Sequence, residues 1–181
     1  TQELLASILQ PDPRQRHQWA GLSGDVPDPA DPPPGCRFHT RCPAVIQPSG
    51  LDLDQEAWRA VMDLRVHLRD EGIDVAGLRD LVDASAGSPD DSDAERMKRA
   101  IRGEFDIPAR LDDPTADAAL DDALDAVIAD DVERARDVLV DAFPTPCDSN
   151  RPTAYAIDDD HHAACLLHDE RFVTEPEAAD D

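Results

Sequence analysis

The run Gly35-Cys36-Arg37-Phe38-His39-Thr40-Arg41-Cys42-Pro43 concentrates the residue types here that can do metal or redox chemistry. Two of the four cysteines stand in it with five residues between them, and Cys147 and Cys165 follow more than a hundred residues later. Two thiolates do not complete a four-ligand shell, so a metal or cluster held by Cys36 and Cys42 needs ligands from elsewhere, and Cys147 and Cys165 are the remaining thiols. We read the four as one site. Arg37, His39 and Arg41 form a knot of potential cations in a chain of net charge −24. Their guanidinium and imidazole N–H groups would offset the charge of an anionic thiolate cluster and tune its potential. A loop whose arginines pair with carboxylates would look the same. Zinc is an alternative occupant, with His39 or His168 able to complete the shell, although the Cys36–Cys42 spacing is wider than in zinc knuckles. In a secreted chain the even cysteine count would favour two disulfides.

The elements that must position these cysteines fall into two styles. Leu4, Leu5, Ile8 and Leu9 recur at helical spacing, which predicts the end of a helix over 1–10, and Pro11 and Pro13 close it. Residues 11–47 read as a proline-rich strap, with Trp19, Leu22 and Val26 as apolar anchors and Pro27, Pro29 and Pro32–Pro34 enforcing extended backbone. Helical periodicity then takes over from Pro48-Ser49-Gly50. Asp54, Asp74, Ser92 (with Glu95 three residues on), Asp113 (before Pro114) and Asp131 are each placed to cap a short amphipathic helix. The first stripe is Ala57, Val61, Leu64 and Leu68, and the last is Ala135, Val138, Leu139 and Ala142. Met62, Met97, Trp58 and Phe105 belong to these stripes and read as core. The prediction is a mainly α chain with irregular proline-rich segments: an acidic module of about five short helices over 48–143, inserted into a four-cysteine extension. A return segment, 144–168, brings Cys147 back beside Cys42, and 169–181 reads as an acidic disordered tail.

Composition excludes several functions. Forty-one acidic residues, 32 of them Asp, face 16 Arg and the single Lys98, a balance that repels nucleic acid and anionic membrane surfaces. An Asp-rich, Lys-poor surface suits a solvent of very high salt, where carboxylate repulsion is screened. No apolar run is long enough to span a membrane, and no secretory signal opens the chain. Thr1 is not an initiator methionine, and the sequence reads as cut from something longer. His67 has no cysteine or second histidine one turn away and reads as an exposed or satisfied side chain. Cys165 with His161 or His162 could be written as nucleophile and base, but no oxyanion loop accompanies them. Asp158-Asp159-Asp160 lacks the glycine turn and closing Glu of a calcium loop.

The order Thr1-Gln2-Glu3-Leu4-Leu5-Ala6-Ser7-Ile8, then Leu22-Ser23-Gly24-Asp25-Val26-Pro27, then Pro33 to Pro43 with its two cysteines, and finally Ala163-Ala164-Cys165, resembles the C-terminal extension of the ATP-binding subunits of oligopeptide/dipeptide ABC transporters, in a haloarchaeal-like form. The resemblance covers about the first 47 residues and about 35 before the acidic end. It implies that Cys36, Cys42, Cys147 and Cys165 ligate a [4Fe-4S] cluster. It also implies a cytoplasmic position at the inner membrane face, beside a paired ATP-binding subunit and two membrane permeases. In that family the third cysteine follows the second closely, whereas here the helical module intervenes, and Thr40 stands where proline is common. No GxxxxGK[ST] run is present, so ATP would belong to the full-length subunit and this chain is expected not to be an enzyme by itself. It reads as a fragment of such a subunit or a separately encoded remnant.

Overall fold

Asp54 starts the first helix. Its carboxylate accepts from the amides of Glu56 (2.8 Å) and Ala57 (3.3 Å), satisfying first-turn donors that the helix itself cannot. Helix α1 then runs over Gln55–Asp70. Its stripe of Ala57, Val61, Leu64 and Leu68 is buried, with Trp58 and Met62 beside it. Gly72, at φ +78°, closes the helix end by donating to the His67 carbonyl at 3.1 Å, a left-handed cap that glycine adopts without strain.

The computed structural model describes residues 26–70, 72–84 and 92–172, and four more helices begin at the predicted caps. Helix α2, Val75–Ala84, follows Asp74, whose carboxylate accepts from Gly77 N–H at 3.0 Å. Helix α3, Asp93–Glu104, follows Ser92, whose hydroxyl accepts from Glu95 N–H. Helix α4, Pro114–Ile128, follows Asp113, and α5, Val132–Ala142, follows Asp131. Five helices between Gln55 and Ala142 thus make up the expected helical module among the described residues. Asp113 accepts from both Thr115 N–H (2.7 Å) and Ala116 N–H (3.1 Å). Asp113→Ala is accordingly expected to lower stability by about 1 kcal/mol, read as a shift in urea midpoint at unchanged slope.

Helix α4 packs along α5, with α3 against α4, α2 against α3 and α1 against α5. The core is centred on Trp58, Phe143, Leu64, Leu120, Leu124 and Leu139, all fully buried. Trp58 and Phe143 meet with ring centroids 6.3 Å apart, and the indole N–H donates to the Val45 carbonyl at 3.0 Å. Val45, Cys147 and Leu166 join the same core, so the segments flanking the module are built into it. His67 is half-buried, its ring edge-on to Phe105 with centroids 5.2 Å apart. Lys98, the only lysine, is buried and paired with Asp125 at 2.8 Å.

After α5 come a one-turn helix α6, Pro146–Ser149, and an antiparallel pair, β1 Tyr155–Ala156 and β2 His162–Ala163, in register Tyr155 with Ala163. Asp158 to Asp160 form the turn of this hairpin, with Asp160 N–H donating to the Asp158 carboxylate at 3.2 Å. Asp169 is buried against Tyr155 Oη (2.5 Å) and Arg171 (2.7 Å), whose hydrogen bonds hold its carboxyl well below the usual range. Val26 differs from its expected role as an anchor: it is 73% exposed, because the prolines that follow carry the chain along the surface. The helix expected over 1–10, Trp19 and Leu22 of the strap, the loop 85–89 and residues 173–181 of the tail lie outside the described residues.

Candidate functional site

Cysteine-bearing segments from the two ends of the module meet at Gly35-Cys36. Gly35 has φ +65°, and a Cβ there would lie 2.5 Å from the Cys147 carbonyl oxygen and 2.6 Å from Asp148 backbone atoms. The absence of a side chain lets Cys36 N–H donate to the Cys147 carbonyl at 2.8 Å. From there the chain turns through a short 3-10 turn, His39–Arg41, with Cys42 N–H closing onto the His39 carbonyl at 3.3 Å. On the other side Thr145 caps α6. Its hydroxyl accepts from Cys147 N–H (3.2 Å) and donates to the Ile46 carbonyl (2.7 Å). Cys165 follows β2 and precedes the buried Leu166.

Two arginines of α1 fasten these segments to the module. Arg59, only 9% exposed, donates to the carbonyls of His39 (3.0 Å), Thr40 (2.9 Å) and Cys42 (3.2 Å), and pairs with Asp63. Arg65 donates to the Phe143 carbonyl (3.2 Å) and pairs with Asp148 at 2.5 Å. One helix thus grips the Cys36–Cys42 loop near its start and the Cys147 segment further along. Sequence reading missed both residues, since Arg59 with Asp63 at i+4 looks like a solvated surface pair. The available signal was the position of Arg59 between Trp58 and Ala60, next to the apolar stripe.

All four cysteines carry free thiols; Cys147 is buried and the other three half-buried. Burial pushes the Cys42 and Cys147 thiols up, and the neighbouring thiols add like-charge repulsion: Cys147, Cys165 and Cys36 on Cys42, and Cys36 and Cys165 on Cys147. The four predicted residues are therefore brought near one another. Among the described residues, however, no group of three or more His, Cys, Asp or Glu side chains is arranged to hold a metal ion as it stands. No hydrogen bond links Cys165 to His161 or His162 among those described, and both histidines are exposed.

The cationic knot divides. Arg37 is exposed. His39 is buried, and its Nδ1 lies 2.7 Å from the Cys36 carbonyl, so that nitrogen carries the proton and donates. Burial lowers the His39 pKa below its ordinary value. Arg41 is half-buried, and its Nε, like Thr40 Oγ1, is buried with no hydrogen-bond partner. Those two donors, both between Cys36 and Cys42, are what an anionic group at the thiols would satisfy.

Residues 55–161 match the family model described as Domain of unknown function (DUF8228), and residues 1–48 match the model described as Oligopeptide/dipeptide transporter, C-terminal region. The first match ends at residue 48, the second runs past the end of α5 to residue 161, and the Ala163–Cys165 part of the resemblance lies outside both. The chain is 46% identical over 55 residues to a peptide import ATP-binding protein of Brucella ovis, covering 30% of this chain and 17% of that one. It is 45% identical over 42 residues to the dipeptide transport ATP-binding protein DppF of Escherichia coli, covering 23% and 13%. The chain thus spans less than a fifth of the length of these curated relatives. No solved structure matches it. Because the match over 55–161 takes in more than half of its residues, the chain belongs to the family described as Domain of unknown function (DUF8228), carried behind a segment similar to the C-terminal region of peptide-transport ATP-binding proteins.

Proposed function

We propose that this chain is the C-terminal accessory part of a haloarchaeal peptide-importer ATP-binding subunit, in which Cys36, Cys42, Cys147 and Cys165 hold a [4Fe-4S] cluster. The observation that carries the reading is the 2.8 Å hydrogen bond from Cys36 N–H to the Cys147 carbonyl. It joins a cysteine of the transporter-like segment to one inside the helical family, so a single site would draw ligands from both. The donor set fits such a group in kind: four free thiols near one another, with two orphaned buried donors, Arg41 Nε and Thr40 Oγ1, in the loop between the first two. A bound cluster supplies iron–thiolate bonds that cross-link the two ends of the chain and, where accessible, a one-electron couple. The protein's own residues do the rest. Arg59 and Arg65 hold the two loops against α1, and the raised Cys42 and Cys147 thiols give up protons when they ligate, which makes affinity fall as pH drops.

In this reading ATP binding and hydrolysis belong to the full-length subunit. The partners are a second ATP-binding subunit and membrane permeases, with the chain at the cytoplasmic face of the membrane. None of the described helices is long and apolar enough to cross a membrane. The acidic surface is an adaptation to high salt, where the excess of 41 acidic over 17 basic residues is screened.

The test is anaerobic purification followed by a visible absorption spectrum and iron, sulfide and zinc analysis, on the wild type and on Cys147→Ser. A brown protein with about four irons per chain, and loss of both colour and iron in the variant, is the expected result. Colourless protein with one zinc would replace the cluster by a structural zinc site. Metal-free protein would overturn the site altogether.

A further inference from the structure

A cavity of about 280 Å³ opens beside the cysteine loop, between α1, α5 and α6. Its polar wall is made by Arg65, Arg69, Arg136, His39 and Asp148, and its apolar wall by Pro34, Met62, Val66 and Val140. Three guanidiniums against one carboxylate is the reverse of the balance elsewhere in this chain. The larger cleft, of about 830 Å³, is lined by six carboxylates, Asp63 and Asp70 among them. The smaller cavity is thus set for an anion, and its four apolar residues for an aliphatic body.

The polar groups are only partly used. Arg65 is committed to Asp148, and Arg69 forks onto Asp70 at 2.6 and 2.8 Å. Arg136 donates to the last carbonyls of α1, Leu68 (2.7 Å) and Arg69 (3.1 Å), and its charge helps hold the Asp70 carboxyl down without a hydrogen bond to it. A guanidinium offers five N–H donors, so Arg136 keeps several in hand. His39, only 6% exposed, has its proton fixed on Nδ1 by the Cys36 carbonyl. Its Nε2 is left as a lone-pair acceptor with no hydrogen-bond partner among the described residues. The wall therefore presents donors for an oxyanion together with an acceptor that requires an N–H or O–H from the same ligand.

We propose that this cavity binds an α-amido carboxylate, the group found at the C-terminus of a polypeptide and in an N-acylated amino acid. The carboxylate meets Arg136 and the free edge of Arg69, the amide N–H meets His39 Nε2, and a short aliphatic side chain lies against Met62, Val66 and Val140. Fork-shaped guanidinium donors suit a carboxylate geometrically. The acceptor on His39 separates this ligand from fully deprotonated anions such as chloride or sulfate, which offer it no such donor, while phosphate keeps an O–H at neutral pH but has no aliphatic body for the apolar wall.

The test uses the full chain as purified, with whatever metal it holds, and NMR titration with N-acetyl-L-leucine, N-acetyl-L-leucinamide, inorganic phosphate and a pentapeptide ending in leucine. Saturable binding of N-acetyl-L-leucine, weakened about tenfold or more both in the amide and by Arg136→Gln, is the expected result. Val140→Trp should fill the cavity and block binding; Val140 is 47% exposed, so the variant is expected to fold, as an unchanged far-UV spectrum would show. A pentapeptide that binds more tightly than the acetylated residue identifies a polypeptide terminus as the source, and equal affinity identifies the free acid. Phosphate binding as tightly as N-acetyl-L-leucine, the amide binding equally well, binding that survives Val140→Trp, or no binding of any probe would each overturn the proposal. None of these readouts depends on a metal, so they stand or fall separately from the four-cysteine site.

Discussion

Gly35→Ala is expected to part the two cysteine-bearing segments. Two costs add. At φ +65° a side chain strains the backbone by about 1–2 kcal/mol. The new methyl would also meet the Cys147 carbonyl oxygen at 2.5 Å and Asp148 backbone atoms at 2.6 Å. Those atoms are main chain and cannot rotate aside, so the Cys36-to-Cys147 hydrogen bond must lengthen and the α6 segment must shift. Together the loss is about 3 kcal/mol, read as a urea midpoint shift, with thiol alkylation of the buried Cys147 accelerated. Gly50→Ala is the control, since Gly50 has φ +100° but nothing within 4 Å of its would-be Cβ; it should show the backbone cost alone. Equal losses in the two variants would mean that the close approach at Gly35 holds nothing together.

The module was legible because its signals are local. Asp54, Asp74, Ser92, Asp113 and Asp131 each cap the helix that their spacing from an apolar stripe predicts, and a cap acts within three residues. The hairpin Tyr155–Ala163 was not legible: strands of two residues carry no alternation to detect, and its turn is an acidic run without the glycine or asparagine that marks a tight turn. Val26 failed as an anchor for the opposite reason, since an isolated valine among prolines says nothing about what lies beneath it.

At the site, sequence could propose the four cysteines as one group and could not name what brings Cys36 to Cys147. The meeting of Cys36 with Cys147 needs a glycine at Gly35 and a hydroxyl at Thr145, both ordinary residues whose partners lie about a hundred positions away. Arg59 and Arg65 are the stronger case. Each contacts backbone carbonyls, and a carbonyl has no sequence signature. The cationic knot predicted around the cysteines also divided in a way that only burial decides: Arg37 is exposed, Arg41 half-buried and His39 buried.

Arg59→Met removes a charge and keeps the aliphatic stem, so packing beside Trp58 is largely retained while the grip on the cysteine loop goes. The carbonyls of His39, Thr40 and Cys42 then lose their donor, and Asp63 keeps a half-buried carboxylate without its guanidinium. Leaving buried carbonyls without a donor costs more than the net value of the bonds themselves, and the loss of the ion pair adds to it. The expected loss is about 3 kcal/mol, or a fall of roughly 6–12 °C in Tm for a chain of this size. Asp63→Ala in the Arg59→Met background should cost less than Asp63→Ala alone, because the ion pair it would break is already gone; strict additivity of the two changes would show that the pair is not coupled. The effect should also be directional in space. Alkylation of Cys42, which sits in the loop that Arg59 holds, should accelerate well before that of Cys147, which the Arg65 and Asp148 pair keeps seated. Equal acceleration at both thiols would instead mean that Arg59 contributes to global stability only, and that the cysteine loop is held by something other than α1.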